Sequence, residues 1–206
     1  MGDTTSGPQD IQAVATGEID TGGAFNGSVA KLQQAGSKVT GVVSTYGSDD
    51  QTFYGYYSLE RSGIETAQDL VGKTVGINTL GAYHEYAIKQ WLHREGVSDA
   101  DIKEVALTVV PPINTELALR QGQLDAGNLG TVFKRNENTD FVKKWKSPGI
   151  PVPGGVIKPE EFTVWVDEAV RLGELPAGIK VEELFTNEFN PSANGTYPPD
   201  SNEDGV

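Results

Sequence analysis

The 206-residue chain contains no cysteine and only two histidines. The absence of cysteine excludes disulfides, thiol catalysis and cysteine-ligated zinc or iron–sulfur centres. Two histidines give little support to a histidine-based catalytic centre, and the Gly-x-Ser-x-Gly turn of serine hydrolases is missing. Long hydrophobic runs are missing too, because no stretch approaches the roughly 18 apolar residues that a transmembrane helix needs. The composition therefore supports neither an enzyme class nor a membrane-spanning segment.

Basic residues are also scarce, with 16 lysines and arginines against 29 aspartates and glutamates. The formal net charge is −13 and the isoelectric point is near 4.5. Non-specific binding to nucleic acid needs a basic surface, so this balance excludes nucleic acid as a partner and disfavours anionic membranes. No signal-peptide pattern precedes the polar N-terminal residues, which predicts a cytosolic protein or the mature form of an exported one.

Apolar periodicity predicts strands that alternate with helices along the chain. The best helix spans 82–95, where the apolar positions keep a 3.6-residue period and Glu85 and Lys89 are spaced for an i,i+4 ion pair. Further helices are predicted at 10–16, 28–35, 115–121, 131–136 and 160–172, and strands at 19–22, 39–45, 53–59, 74–77, 105–110 and 124–127. This alternation predicts an α/β fold with mainly parallel sheets.

Residues 10–22 align without gaps on residues 115–127. The identical pairs are Ala13/Ala118, Gly17/Gly122, Asp20/Asp125 and Gly22/Gly127. Both copies are predicted as a helix, a glycine stop, a short strand and a glycine-rich turn. One interpretation is that any two such units look alike. The other is that two lobes share a topology and place equivalent strand ends on one ligand site.

Two familiar motifs are incomplete. The Gly72-Lys73-Thr74 triplet lacks the first glycine of a phosphate-binding loop, because position 67 is alanine, and it precedes a strand instead of following one. The His84-Glu85 pair begins like a zinc-protease helix, but position 88 is isoleucine. Neither motif therefore supports catalysis or metal binding.

Two glycine-flanked turns, 23–28 and 78–84, lead directly into predicted helices. A helix N-terminus presents unpaired N–H groups and a partial positive charge, which suit an anion. Asn26, Ser28 and Thr79 add polar side chains to these turns. Every helix has an N-terminus, so each turn alone is equally compatible with a purely structural role.

Residues 62–76, Ser-Gly-Ile-Glu-Thr-Ala-Gln-Asp-Leu-Val-Gly-Lys-Thr-Val-Gly, resemble a stretch of ABC-transporter substrate-binding proteins. The nearest branch binds nitrate, sulfonates, taurine or thiamine precursors. Residues 15–20, 81–84 and 121–126 resemble other elements of that family in the same order, so the resemblance covers about 10–136. The family's usual first strand and loop are not seen before Asp10, and Gly127-Asn128-Leu129-Gly130 stands where many members have Trp-x-Pro.

The resemblance implies an α/β, two-lobed, periplasmic-binding-protein-like fold of type II, in which each lobe is a mainly parallel sheet flanked by helices. The implied first lobe covers residues 1–60 and the second lobe 61–140. Residues 141–186 return to the first lobe, and 187–206 form a mobile tail.

The resemblance also implies a function as the solute-binding receptor of an ABC importer. A small anionic or heteroaromatic compound, similar to a sulfonate, taurine or nitrate, would bind in the cleft between two lobes without a cofactor, a metal or catalysis. The implied partners are this ligand and a membrane permease, the location is periplasmic or otherwise extracytoplasmic, and the receptor is a monomer. The alternatives are an enzyme resembling the pyrimidine-precursor synthases on the same fold, and a lobe fragment that binds no ligand.

The candidate ligand-binding residues combine the two turns with two further positions. They are Asn26, Gly27, Ser28, Tyr46, Thr79, Gly81, Ala82, Tyr83, His84 and Asn128. Tyr46 would form a wall of the pocket, and Tyr83 is equally compatible with a core position. His84 would donate a hydrogen bond to an anionic head group.

Overall fold

The computed structural model describes residues 7–44, 55–128 and 153–193. The chain divides into two compact units: unit 1 comprises Met1–Phe53 and Lys146–Val206, and unit 2 comprises Tyr54–Trp145. In the part of the chain that the structure describes, no helix is both long and apolar enough to cross a membrane. Tyr46 and the helix predicted at 131–136 lie outside the described residues.

Unit 2 is built on a four-stranded sheet in the order β1-β4-β2-β3. The strands are β1 (Tyr56–Ser58), β2 (Thr74–Ile77), β3 (Ala106–Val109) and β4 (Ala126–Asn128). β2 pairs in parallel with both β3 and β4, whereas β1 runs antiparallel to β4. The predicted strands therefore form, and the sheet of this unit is mainly parallel.

Helices α3 (Tyr83–Arg94), α4 (Asp99–Ile102) and α5 (Pro112–Arg120) complete unit 2. Val75 at the centre of β2 and Leu92 of α3 are fully buried in one apolar cluster, as the period of the 82–95 segment predicts. A 3₁₀ turn, Ala67–Leu70, closes that cluster. The turn begins at a capping box in which the Thr66 side chain and the Asp69 carboxylate satisfy each other's backbone N–H groups.

Unit 1 contains α1 (Gly7–Thr16), α2 (Asn26–Gln34) and α6 (Glu160–Arg171). The strands predicted at 19–22 and 39–45 do not form among the described residues, whose β pairing in this unit is one isolated parallel bridge, Gly41 with Phe185. Segment 39–44 makes only scattered backbone bonds with its neighbours, such as Ser44 N–H to the Gly155 carbonyl at 2.9 Å. A β-branched run without a continuous partner cannot build a ladder.

Helices α2 and α6 pack against each other in unit 1. Phe25, just before α2, meets Trp165 of α6 edge-to-face with ring centroids 4.9 Å apart. Lys31 forms an ion pair with Glu174 at 2.8 Å. Within α6, the buried Glu168 carboxylate is paired with Arg171 at 2.5 Å, so this helix carries a charged pair that is largely shielded from solvent.

The two segments that align in the sequence share the way their helices end. In α1 the Glu18 N–H donates to the Ala13 carbonyl, and after α5 the Gln123 N–H donates to the Ala118 carbonyl, each at 2.9 Å. The intervening glycines, Gly17 and Gly122, have φ angles of 79° and 71°. Both ends are Schellman motifs, which need a residue in the left-handed region. The copies diverge afterwards, because only the second continues into a strand.

Candidate ligand-binding site

The candidate site lies at the carboxyl edge of the unit 2 sheet, where Asn78 follows β2 and Asn128 ends the neighbouring strand β4. Ligands of open α/β sheets bind beyond the carboxyl ends of their strands. The backbones of β2 and β4 approach each other at Gly76 and Gly127, which are register partners. The edge therefore brings the loop before α3 next to Asn128, as the sequence-based hypothesis requires for the second-lobe residues.

The loop before α3 is organised by the Asn78 side chain. The Thr79 N–H donates to Asn78 Oδ1 at 2.9 Å, which identifies that atom as the amide oxygen. His84 Nδ1 lies 2.7 Å from the same oxygen and therefore carries the proton in this contact. The neutral ring then presents Nε2 as an acceptor, and that atom is shielded from solvent. In this tautomer Nε2 is an acceptor, whereas the sequence-based hypothesis has His84 as a donor.

Burial keeps His84 neutral. It lowers the pKa of the imidazole from its ordinary value of 6.5 to about 4, because the charged form loses its hydration. The ring also meets that of Tyr83 edge-to-face, with centroids 5.5 Å apart. Tyr83 is half-buried, so part of its side chain packs against neighbours and part of it is exposed at this edge.

Tyr56 is a residue of this edge that the sequence analysis did not select. It pairs in register with Asn128, and its hydroxyl donates to the His84 carbonyl at 2.5 Å. Burial, with smaller contributions from Tyr83 and Glu85, raises the pKa of this phenol well above its usual range. The aromatic run at 53–59 predicts a strand, but a strand prediction alone does not say which of its tyrosines faces α3.

The sequence predicts Glu85 only as half of an ion pair with Lys89, and the structure gives it a second contact. Its Oε2 accepts the Gly81 N–H at 2.7 Å, and its Oε1 lies 2.5 Å from Lys89 Nζ. The two side chains are only 14 % and 22 % exposed. The Glu85 carboxylate thus occupies part of the α3 N-terminal turn, where the sequence predicts a bound anion.

Asn128 and Thr79 complete the second-lobe candidates. Asn128 is buried, and its Nδ2 donates to the Gly55 carbonyl at 3.1 Å, which fixes the start of β1. Thr79 is half-buried and Ala82 is buried at the N-cap of α3. Gly81 has a φ of 74°, a conformation that favours glycine.

The first-lobe candidates lie in unit 1, at the start of α2. Asn26 Nδ2 donates to the Glu161 carbonyl of α6 at 2.7 Å, so this side chain already ties two helices together. A Cβ on Gly27 would stand 2.6 Å from the Phe25 ring, and Ser28 is buried. Their roles in binding remain predictions.

A separate groove of about 400 Å³ lies between β3 and α5 in unit 2. It contains none of the candidate residues, and its walls mix apolar side chains with amides, among them Val110, Asn114, Leu117 and Gln121. Among the described residues, no group of three or more histidine or acidic side chains is placed to hold a metal ion.

The family model described as NMT1/THI5 like matches residues 4–139. The chain belongs to the NMT1/THI5-like family. The predicted resemblance to substrate-binding proteins is thereby confirmed at the level of the family. No curated protein matches the sequence at a significant level.

Solved structures similar to this NMT1/THI5-like chain support the same fold. A protein from Bordetella bronchiseptica RB50 has a TM-score of 0.61 at 15 % identity, covering 94 % of this chain and 86 % of its own. The alkanesulfonate-binding protein SsuA from Xanthomonas axonopodis pv. citri, bound to MOPS, has a TM-score of 0.51 at 23 % identity over 66 % of this chain. The matched region spans 45 % of the Xanthomonas protein's length.

A third similar structure is the zinc-bound ligand-binding component of an ABC-type import system from Staphylococcus aureus. Its TM-score is 0.54 at 12 % identity, and the match covers 84 % of this chain and 81 % of that protein. Identities this low establish the fold alone. The predicted fold class, α/β of the periplasmic-binding-protein type, is confirmed.

Proposed function

We propose that this protein is the solute-binding receptor of an ABC importer and that it captures a small anionic or heteroaromatic compound. The match of the NMT1/THI5-like family model over 4–139 carries this proposal. The likenesses to the Xanthomonas alkanesulfonate-binding protein and to the Staphylococcus import component support it. The protein acts without catalysis, in an extracytoplasmic compartment, as a monomer that delivers its ligand to a membrane permease.

The ligand binds at the carboxyl edge of the unit 2 sheet. The contacts come from Thr79, Gly81, Ala82, Tyr83 and His84 around the α3 N-terminus. Asn128 adds a contact from the end of β4. Small residues at positions 81 and 82 let a ligand approach the backbone, and the polar groups around them orient it.

In unit 1, Asn26, Gly27 and Ser28 remain candidate contacts. The Asn26 side chain donates to the Glu161 carbonyl at 2.7 Å, so its amide oxygen is the group it offers to a ligand. Tyr46 stays a candidate wall of the pocket.

Thermal unfolding of the full chain tests the receptor function. The panel contains alkanesulfonates, taurine, nitrate, bicarbonate and pyrimidines. A ligand at about 100 times its Kd adds roughly 2.7 kcal/mol to the free energy of unfolding. For a chain of this length we expect a Tm increase of about 5–10 °C. A cooperative transition that no compound moves would contradict the receptor function.

A pair of identical substitutions tests the location of the site. Thr79→Ala removes a hydroxyl beside α3 that has only a weak bond to Leu80, at 3.5 Å. Thr163→Ala makes the same change on the exposed face of α6 in unit 1. We expect Thr79→Ala to reduce the ligand-induced Tm shift and Thr163→Ala to leave it unchanged. Equal shifts in both variants would place the site elsewhere.

A further inference from the structure

Glu85 places a carboxylate inside the turn that would otherwise receive an anion. It is the third residue of α3, and it reaches back to accept the Gly81 N–H at 2.7 Å. Lys89, one turn further along α3, contacts the opposite carboxylate oxygen at 2.5 Å and holds the side chain in this position. The carboxylate is only 14 % exposed, so packing fixes it as well.

The charge of Glu85 opposes an incoming oxyanion at this turn. A helix N-terminus attracts negative charge through its N–H groups and its dipole, and a glutamate in the first turn already supplies that charge. An oxyanion would have to compete for the Gly81 N–H and lie beside a fixed carboxylate. Like-charge contacts of this kind are a common way to reject a wrong ligand.

Lys89 balances the charge of Glu85, but the described segments on either side of the α3 turn offer no second cation to an incoming anion. The sequence has no lysine or arginine between Lys73 and Lys89, and none between Lys103 and Arg120. Lys89 is already paired with Glu85. A sulfonate or nitrate would therefore meet a carboxylate at α3 without a cation in these segments to balance its charge.

The same edge exposes apolar side chains. Leu80 follows β2, Val109 ends β3 and Ile113 lies in the first turn of α5, and each is more than half exposed. Exposed apolar side chains that surround polar groups are typical of a site for a ligand with an apolar surface.

We propose that Glu85 is a specificity-determining residue that excludes small oxyanions from the α3 turn. The site then takes an uncharged solute that has an apolar face and hydrogen-bond donors. This inference rests on the proposed receptor function and selects between its two ligand classes. Glu85 acts through charge and through occupation of the Gly81 N–H, so its effect is on affinity and not on the fold.

Calorimetric titration of the full chain with sodium ethanesulfonate and with uracil tests this role. Glu85→Gln keeps an oxygen that accepts the Gly81 N–H but removes the charge. Glu95→Gln removes the same charge from an exposed position at the other end of α3. We expect ethanesulfonate to bind Glu85→Gln at least about tenfold more tightly than wild type, and Glu95→Gln to match wild type.

The outcomes separate the two proposals. A gain of ethanesulfonate affinity in Glu85→Gln alone supports the exclusion role, whether or not uracil binds. Equal ethanesulfonate affinity in wild type and Glu85→Gln overturns the exclusion role. Tight binding of ethanesulfonate by wild type also overturns it, but leaves the receptor function intact. If no compound of the larger panel stabilises any form of the chain, the receptor function fails too.

A measurement on wild type alone decides the matter if Glu85→Gln does not fold. The measurement is the Kd of the panel compound that stabilises wild type most, at low and at high sodium chloride. If that compound is uncharged, as we expect, its Kd should change less than about twofold. A Kd that increases steeply with salt identifies an anionic ligand and overturns the proposal.

Discussion

Gly127 lies in β4 where α5 packs against that strand, and the space for a side chain there is already filled. A Cβ at this position would stand 2.7 Å from Thr115 Cγ2. Thr115 is 2 % exposed, so the methyl group cannot move into solvent. We expect Gly127→Ala to lower the free energy of unfolding by about 2 kcal/mol, because inserted carbon in a packed core forces neighbours apart. Urea denaturation measures this change.

The threonine offers a matched test of that explanation. Thr115→Ser removes the Cγ2 methyl group, so the double variant Gly127→Ala/Thr115→Ser should recover part of the lost stability. Gly23→Ala is the control, since a Cβ there meets nothing within 4 Å. A Gly127→Ala chain as stable as wild type, or a double variant no better than the single one, would show that the contact is not responsible.

His84 makes the stability of the chain depend on acidity. The folded imidazole has a pKa of about 4 and the unfolded one about 6.5, so the unfolded chain binds the additional proton between these values. The free energy of unfolding should therefore fall as the pH drops from about 6.5 to 4, by about 2 to 3 kcal/mol from this residue. Comparison of urea denaturation near pH 7 and pH 4.5 measures the loss.

Two substitutions isolate this effect from that of the many carboxylates. His84→Gln should lose less stability on acidification than wild type. His93 lies on the outer part of α3 with its side chain 48 % exposed, and His93→Gln should follow the wild-type curve. Parallel curves for wild type and His84→Gln would contradict the role of the buried imidazole.

At the scale of secondary-structure elements, α6 buries a charged pair against its neighbours. The Glu168 side chain is 4 % exposed and its partner Arg171 is 19 % exposed. Arg171→Met leaves a buried carboxylate without its cation, and we expect a loss of about 3 kcal/mol. The double variant Glu168→Met/Arg171→Met should stay within about 1 kcal/mol of wild type, because both charges are gone. Thermal and urea denaturation provide both values, and equal losses in the two variants would refute the argument.

Elements with strong local signals are the ones that the sequence predicts. The 3.6-residue period, the Glu85–Lys89 pair and Gly96 define α3 to within a residue, and the glycine stops of α1 and α5 have the predicted geometry. The strand predicted at 39–45 has no such local signal. Its β-branched composition is correct for a strand, but a ladder depends on a distant partner, and composition carries no information about that partner.

The candidate site was predictable only in part, for a related reason. The residues that follow β2 are adjacent in sequence, so the turn at 78–84 was visible. Tyr56 and Glu85 act across space, through the His84 carbonyl and the Gly81 N–H, and these contacts follow from the register of β1 on β4 and from the first turn of α3. Neither contact follows from the sequence alone.

At the scale of the whole molecule, the net charge of −13 opposes the folded state. The Debye length falls from about 30 Å at 0.01 M salt to about 10 Å at 0.1 M, so added salt screens this repulsion. We expect Tm to increase by a few degrees over that range of sodium chloride, measured by differential scanning calorimetry. An equal osmolality of glycerol is the control for non-ionic effects. A Tm that falls with salt would mean that ion pairs such as Lys31–Glu174 outweigh the net repulsion.

The hydrogen bond from Tyr56 to the His84 carbonyl also gives the protein an intrinsic optical reporter. Tyrosine absorbs differently in the near ultraviolet once it ionises, so a phenol with a raised pKa gives a separate late step in an alkaline titration. Burial raises the pKa of Tyr56, so its phenol should ionise at a higher pH than an exposed tyrosine does. That late step of the titration would then follow the opening of the β1–α3 contact without an added label.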